Sequence, residues 1–111
     1  MIYHNILYQS LKNVTAEWHA GHLQWDYIWS YIKFFDDGSF IYASIQGDNL
    51  EVINKSFNKN SNNITKGRFA INGSLLSLQF EIIDLKGYIT KENYFILEGI
   101  QTWEIFYPLN T

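Results

Sequence analysis

The clearest pattern in the chain lies in residues 26–45, where two runs rich in aromatic and β-branched residues flank Asp37-Gly38. This arrangement predicts a β-hairpin, because the turn needs a residue with positive φ and glycine adopts that conformation at little cost. With Phe35 opposite Phe40, one face is almost wholly apolar and contains Ser30, Ile32, Phe34, Ile41, Ala43 and Ile45. The other face is amphipathic and aromatic and contains Trp29, Tyr31, Lys33, Phe35, Phe40, Tyr42 and Ser44. A one-residue bulge at Gly38 would shift this pairing.

A second hairpin is predicted in residues 66–83, where two strand-like runs flank Asn72-Gly73, a pair typical of a type I′ turn. Placing Ile71 opposite Ser74 gives two chemically different faces. The apolar face contains Phe69, Ile71, Leu76, Leu78, Phe80 and Ile82. The other face contains Arg68, Ala70, Leu75, Ser77, Gln79 and Glu81. This contrast is expected for an antiparallel sheet with one face toward the core and one toward solvent.

The N-terminal quarter of the chain supports two interpretations. Residues 2–9 suit a strand, but apolar residues also recur at the spacing of one helical face, namely Leu7, Leu11, Val14 and Trp18. Because the run is short and contains poor helix formers, we expect a strand to about residue 9 and then a loop or one or two helical turns to about residue 24. Residues 16–25 are interpreted as the linker into the central hairpin.

The remaining segments complete a strand-rich chain. A turn is expected at residues 46–49, and residues 54–63 contain five asparagines, which predicts an exposed and mobile loop. Further strand-like runs occur at residues 85–90, 94–99 and 102–107. The pattern predicts about eight strands, spaced by roughly ten residues and joined mostly by tight turns.

Such a chain forms either a sandwich or an up-and-down barrel, and closure of a small barrel removes the free edges of the sheet. We therefore expect an all-β fold, a small antiparallel up-and-down β-barrel of about eight strands. Residues 1–111 are expected to form a single barrel domain, because a chain of this length buries enough surface for one core.

Composition narrows the classes of function. Aromatic residues make up 18% of the chain and charged residues 17%, which is typical of a globular, aromatic-rich domain. The absence of cysteine excludes disulfides and thiolate metal sites. The net charge of −3, without a basic stripe, disfavours nucleic acid as a partner, because neutralisation of phosphates supplies most of the affinity for it. We expect no cofactor.

The sequence also carries an expectation about location. The N-terminal residues lack a basic region, a continuous apolar region and a small-residue cleavage site, which a secretory signal requires. No run approaches the ~18 apolar residues of a transmembrane helix. We therefore expect a cytoplasmic protein without a membrane partner.

Candidate catalytic and metal-binding residues are few. The histidines are His4, His19 and His22, and the acids that would complete a site are Glu17, Asp26 and Asp36. A metal needs three or four ligands held by supporting partners, and because the spacing fixes no such geometry, polar loop histidines are the simpler interpretation. Asp36 and Asp37 are interpreted as turn residues. Without a cysteine or a G-x-S-x-G motif as nucleophile, we expect neither enzymatic activity nor a bound metal.

The sequence YIKFFDDGSF at residues 31–40, with KGRF at 66–69 and GYI at 87–89, resembles small lipocalin-like (calycin-type) β-barrels. The order of these motifs is similar to that in the barrel domain C-terminal to the F-box of some ubiquitin-ligase adaptors. The chain lacks the F-box helices, and the lipocalin G-x-W motif appears only as Gly21 and Trp25, with a wider spacing. The resemblance implies the fold and a cavity for a small apolar ligand, but no adaptor role.

Aromatic residues are the main candidates for binding. The tryptophans Trp18, Trp25, Trp29 and Trp103 bury large areas and carry an N–H that wants a partner, so they are expected either to plug the barrel or to contact a ligand. A row of aromatic residues is predicted on the outer face, namely Trp29, Tyr31, Phe35, Phe40 and Tyr42. We expect this row to be covered by the N-terminal segment, a second subunit or another partner.

Two functional hypotheses follow. The first is a non-enzymatic binding module that holds a small apolar or amphipathic ligand inside the barrel. The alternative is a protein-interaction or homodimerisation domain that uses the outer aromatic face. An interior cavity above ~300 Å³ favours the first hypothesis, and a barrel filled by side chains favours the second.

Overall fold

A computed structural model of the chain describes residues 2–46, 57, 64–98 and 103–109. Each strand pairs antiparallel with the next along the chain, and the last pairs with the first, so the sheet closes into a barrel. The strands are β1 (Leu7–His19), β2 (His22–Phe34), β3 (Ser39–Gln46), β4 (Thr65–Asn72), β5 (Leu75–Phe80), β6 (Ile83–Ile89), β7 (Phe95–Glu98) and β8 (Trp103–Pro108). The predicted all-β fold and eight-stranded up-and-down barrel are therefore confirmed.

Two sequence predictions fall largely outside the described residues. They are the turn at residues 46–49, of which only Gln46 is described, and the asparagine-rich loop at residues 54–63, of which only Phe57 is described. Within the described part of the chain, no helix has the length and hydrophobicity needed to cross a membrane.

The turn of the central hairpin contains one residue more than predicted. Phe34 pairs with Phe40, so the predicted pairing of Phe35 with Phe40 is wrong. The amide of Phe35 donates to the carbonyl of Ser39 at 2.9 Å, and the amide of Gly38 donates to the carbonyl of Phe35 at 3.1 Å. Gly38 has a φ of 85°, so Phe35 faces both Gly38 and Ser39 in a glycine bulge.

This shift exchanges the two faces of β3. Ile32 and Phe34 in β2 point into the barrel as predicted, but their partners are Tyr42 and Phe40. Ile41 and Ala43 lie on the outer surface instead, because side chains alternate along a strand and a slip of one residue reverses every one of them.

Replacing Gly38 by alanine is expected to lower the free energy of unfolding by about 1–3 kcal/mol, because alanine resists a φ of 85°. The added Cβ would also lie 3.2 Å from Nη2 of Arg68. Urea denaturation followed by far-UV circular dichroism measures the change. An unchanged midpoint would contradict the bulge.

The strand pairing of the second hairpin is shifted by two residues from the predicted register. Asn72 pairs with Leu75, so Gly73 and Ser74 form the turn, and the predicted Asn72-Gly73 turn is wrong. Because a shift of two residues keeps each side chain on the same face, Leu76 and Leu78 are buried as predicted.

Ile82 does not belong to the inner face to which the alternation assigned it. β5 ends at Phe80, and a tight turn through Glu81 and Ile82 leads into β6. Glu81 adopts a φ of 55°, and Ile82 is 99% exposed. The apolar run therefore continues through a turn, which periodicity alone does not reveal.

The N-terminal quarter forms a long β-hairpin, so the predicted loop or helical turns up to residue 24 are wrong. β1 and β2 pair along their length, and Ala20 and Gly21 form the turn with φ values of 50° and 83°. A bulge between Leu11 and Asn13 explains the misleading helical spacing. Leu11 and Val14 are three residues apart and would point to opposite faces of a regular strand. The extra residue in the bulge brings them to the same face, so Leu7, Leu11, Val14 and Trp18 all lie on one face of β1.

The tip of this hairpin extends beyond the barrel. In the described residues, β1 pairs with β8 only at Tyr8 and Gln9, and β2 pairs with β3 only from Ile28 onward. Among the described residues, 14–27 therefore form a two-stranded ribbon beyond the barrel, which we call the arm. The molecule measures 52 Å along its longest axis and about 30 Å across.

The core fills the end of the barrel that is opposite to the arm. Its aromatic rings, with centroids 4.9–5.7 Å apart, form what we call the aromatic core and belong to Tyr8, Phe34, Phe69, Phe95 and Phe106. Ile2 is buried against this cluster, and the amide of Asn5 donates to the carbonyl of Phe34 at 2.8 Å. The N-terminal segment thus closes this end, which we call the N-terminal end.

Candidate functional site

The half of the interior nearer the arm is less completely filled than the half that contains the aromatic core. It retains a cavity of about 140 Å³. The cavity is lined by inward-pointing residues of β3, β5, β6, β7 and β8, namely Phe40, Tyr42, Leu78, Phe80, Leu85, Leu97 and Glu104. The alternation of side chains along each strand brings these residues together.

Gly67 shapes one wall of this cavity. Gly67 pairs with Phe40 across β3 and β4. A Cβ at this position would lie 2.7 Å from Cε1 of Phe40 and 2.3 Å from the carbonyl oxygen of Gln79. Only glycine allows the Phe40 ring to lie against the strand in this way.

The polar groups of the cavity differ in how well they are satisfied. The hydroxyl of Tyr42 lies 3.2 Å from Oγ of Ser30 and 3.4 Å from Oγ of Ser44. In contrast, Oε2 of Glu104 is buried without a hydrogen-bond partner among the described residues. Leaving a buried acceptor unpaired costs about 1–3 kcal/mol, so this atom calls for an explanation.

Glu104 is not among the residues that the sequence predicts to contact a ligand. The signal in the sequence is parity, because Glu104 and Phe106 are two residues apart in one strand and share a face. The structure shows that this is the inner face, with Trp103 and Ile105 exposed on the other. An acid on the inward side of a strand is unusual, since buried carboxylates need partners. Only the closed barrel shows that this acid meets the apolar residues of β3 and β5.

The opposite end of the barrel carries a larger but open recess. Its volume is about 700 Å³, and it is lined by residues of the N-terminal segment and of two turns, including Tyr3, Ile71 and Lys91. Tyr8 lies beneath it, where its hydroxyl accepts the Tyr3 amide at 2.9 Å. Burial raises the pKa of the Tyr8 hydroxyl, which favours its neutral form. The recess is outside the barrel, separated from the cavity by the aromatic core.

The four tryptophans predicted as ligand contacts lie apart from the cavity. Trp18 and Trp25 are on the arm, 74% and 53% exposed. Trp103 is also exposed, on the outer face of β8 next to the ring of Tyr88 at 6.2 Å. Trp29 packs against the outer side of the barrel, where its Nε1 is buried and has no hydrogen-bond partner in the described part of the chain. No tryptophan is among the described residues that line the cavity, and their contact with a ligand stays a prediction.

The residues predicted to bind a partner are split between two sides of the barrel wall. Phe40 and Tyr42 point inward, as a result of the glycine bulge. Tyr31 and Phe35 point outward, where Tyr31 is fully buried and Phe57 of the same chain covers it at a ring distance of 6.3 Å. The predicted row is therefore not contiguous.

The arm has one apolar face and one polar face. Val14, Trp18 and their cross-strand neighbours lie on what we call the arm face, which contains Val14, Ala16, Trp18, Leu23, Trp25 and Tyr27. The opposite face carries polar side chains, which include Glu17, His19, His22, Gln24 and Asp26. Residues of the arm face are exposed throughout.

The histidines and acids do not assemble into a site in the described part of the chain. No three of their side chains come close enough to hold a metal ion there. Nδ1 of His4 lies 2.7 Å from Asp36, and Nε2 of His19 lies 3.3 Å from Glu17. Oδ1 of Asp37 accepts the Ser39 amide at 3.0 Å, which is the turn geometry predicted for this acid.

Comparisons of the chain with protein-family models, with curated proteins and with solved structures give no match. Inference about function therefore depends on the chemistry of the cavity and of the arm.

Proposed function

We propose that this protein is a non-enzymatic binding module that holds one small amphipathic molecule inside its barrel, in the manner of a lipocalin-like protein. The observation that carries the proposal is the unpaired Oε2 of Glu104 in the lining of an apolar cavity. The expected ligand combines an apolar body with one hydrogen-bond donor, and a primary amine fits this description best.

The volume of the cavity limits the ligand to about one ring. At about 140 Å³, the cavity is smaller than the ~300 Å³ at which drug-sized pockets begin. A dry apolar cavity of about 150 Å³ nevertheless binds benzene. The proposed ligand therefore has a single aromatic ring or a short alkyl chain as its apolar part, which is a smaller class of molecules than the sequence-based hypothesis allowed.

The apolar walls provide most of the binding free energy in this proposal. Five lining residues are Phe or Leu, contributed by β3, β5, β6 and β7. Moving apolar ligand surface from water to such walls is worth roughly 25 cal/mol per Å². For one ring we expect a dissociation constant on the order of 0.1–1 mM.

Glu104 selects the polar end of the ligand. A carboxylate accepts hydrogen bonds, and a protonated amine supplies both the donor and the opposite charge. A ligand carboxylate would instead place two negative charges together. Because the Tyr42 hydroxyl already has Ser30 and Ser44 as neighbours, Glu104 is the group that orients the ligand.

Benzylamine, which joins one ring to one primary amine, is expected to bind with a dissociation constant on the order of 0.1–1 mM. Glu104→Gln should weaken this binding at least about tenfold, or about 1.4 kcal/mol, because it removes the charge but keeps the shape. Affinity for neutral benzyl alcohol should change less than about threefold. Isothermal titration calorimetry measures both ligands.

Two further variants control the experiment. Glu98→Gln makes the same chemical change at an exposed position in β7 and should leave both affinities unchanged. Leu85→Phe fills the cavity and should abolish binding of both ligands. If wild-type protein shows no saturable binding, or if Glu104→Gln binds benzylamine as well as wild type does, the proposal fails.

A further inference from the structure

The arm exposes a continuous apolar face. Trp18, Trp25 and Tyr27 are 74%, 53% and 44% exposed, and Leu23 lies between them. Exposed apolar patches of this size mark sites of association. A two-stranded ribbon is by itself only marginally stable in water, and the described residues add no further strand to the arm, so covering its apolar face would stabilise it.

We infer that the arm face packs against the arm face of a second copy of this chain, in a dimer with two-fold symmetry. A two-fold interface needs only one self-complementary patch, because each copy presents the same residues to the other. The arm face lies outside the barrel and contributes no residue to the cavity lining, so dimerisation does not require a bound ligand.

The shape of the arm face is suited to packing against the arm face of a second copy. Register places each large side chain opposite a smaller one, so that the cross-strand pairs are Trp18 with Leu23, Trp25 with Ala16 and Tyr27 with Val14. Ala16 has the smallest side chain on this face and pairs with Trp25 across the strands. When two sheets pack face to face, such projections and depressions interdigitate across about 10 Å.

The available area is sufficient for a dimer of moderate affinity. With 150–250 Å² for each aromatic side chain, the exposed parts of Trp18, Trp25 and Tyr27 amount to roughly 260–430 Å² in each copy, and Val14, Ala16 and Leu23 raise the total to on the order of 500–600 Å². Two copies then bury on the order of 1,000–1,200 Å², which reaches the lower end of the range for specific interfaces. We expect a dissociation constant in the micromolar range.

The charges of the arm argue for a second copy over an anionic lipid surface. Residues 14–27 contain Glu17 and Asp26 but no lysine or arginine. Segments that bind anionic membranes carry basic residues beside their apolar ones. In the inferred dimer both acids lie on the polar face, which stays in solvent.

Sedimentation equilibrium of the full chain tests this inference with two neighbouring substitutions. Trp25→Lys places a charge on the arm face, and Gln24→Lys places the same charge on the polar face. Wild type and Gln24→Lys should dimerise with dissociation constants within about threefold of each other. Trp25→Lys should weaken the dimer at least about 30-fold, as expected for an aromatic residue at the centre of an interface.

Two controls separate association from misfolding. Far-UV circular dichroism of Trp25→Lys should match that of wild type, and its affinity for benzylamine should match that of wild type. Monomeric wild type at about 100 µM would overturn the inference. A dimer that survives Trp25→Lys would also overturn it, since the arms would then be joined through their strand edges. Monomeric wild type that binds phosphatidylcholine vesicles would assign the arm face to lipid.

Discussion

Phe34→Ala is expected to lower the free energy of unfolding by about 3–5 kcal/mol, the range for removing a fully buried aromatic side chain. Phe34 is at the centre of the aromatic core. Its ring centroid lies 4.9 Å from that of Phe69, 5.6 Å from that of Phe95 and 5.7 Å from that of Tyr8. Because strands from several parts of the barrel hold these rings, the surroundings cannot collapse to fill the space.

Lys33→Ala provides the matched control, since Lys33 precedes Phe34 in β2 and points to the outer surface. Its ammonium lies 6.0 Å from the centre of the Phe35 ring, so the substitution should cost less than about 1 kcal/mol. Urea denaturation of both variants gives the comparison. If Lys33→Ala proved the more destabilising change, the inner and outer faces of β2 would be exchanged.

Gly67→Ala is expected to cost about 3 kcal/mol or more, which is at or beyond the upper end of overpacking costs. The added Cβ meets the Gln79 carbonyl oxygen at 2.3 Å, and backbone cannot rotate away as a flexible side chain would. The Phe40 ring, at 2.7 Å, must also move. Since Phe40 lines the cavity, the variant should bind benzylamine more weakly even where it remains folded.

Gly73→Ala is the control that distinguishes a steric clash of the added Cβ, as at Gly67, from the cost of an unfavourable backbone conformation. Gly73 has a φ of 63° and nothing within 4 Å of an added Cβ. Its substitution should therefore lower the free energy of unfolding only by the cost of placing alanine in the left-handed conformation, about 1–2 kcal/mol. Thermal and urea unfolding of the two variants should rank Gly67→Ala as the less stable. The opposite order would show that β4 and β5 do not approach each other closely at Gly67.

Local pattern was a good guide to the type of structure and to most faces. Alternating aromatic and β-branched residues correctly predicted an all-β barrel, because a strand places successive side chains on opposite sides. Where the hairpin at Asn72 slipped by two residues, the inner positions of Leu76 and Leu78 were still correct. An error of two residues in register keeps each side chain on its predicted face, whereas an error of one residue moves every side chain to the opposite face.

Bulges account for the main errors. One extra residue at Gly38 reversed β3 and moved Phe40 and Tyr42 from the predicted outer row into the barrel. Another extra residue, between Leu11 and Asn13, made a strand look like one face of a helix. A bulge changes parity without changing composition, so periodicity cannot locate it.

The sequence by itself determined the strand-rich architecture, the presence of hairpins near Gly38 and Gly73, and the inward faces of β2 and β5, since these depend on local conformation and on apolar character. Only the tertiary structure decided which inward residues share a space. The cavity beside Glu104 forms because five strands converge there, and in the described residues the arm extends past the pairing of β1 with β8 at Gln9 and of β2 with β3 at Ile28. Both features depend on contacts between residues far apart in the chain, which no local pattern encodes.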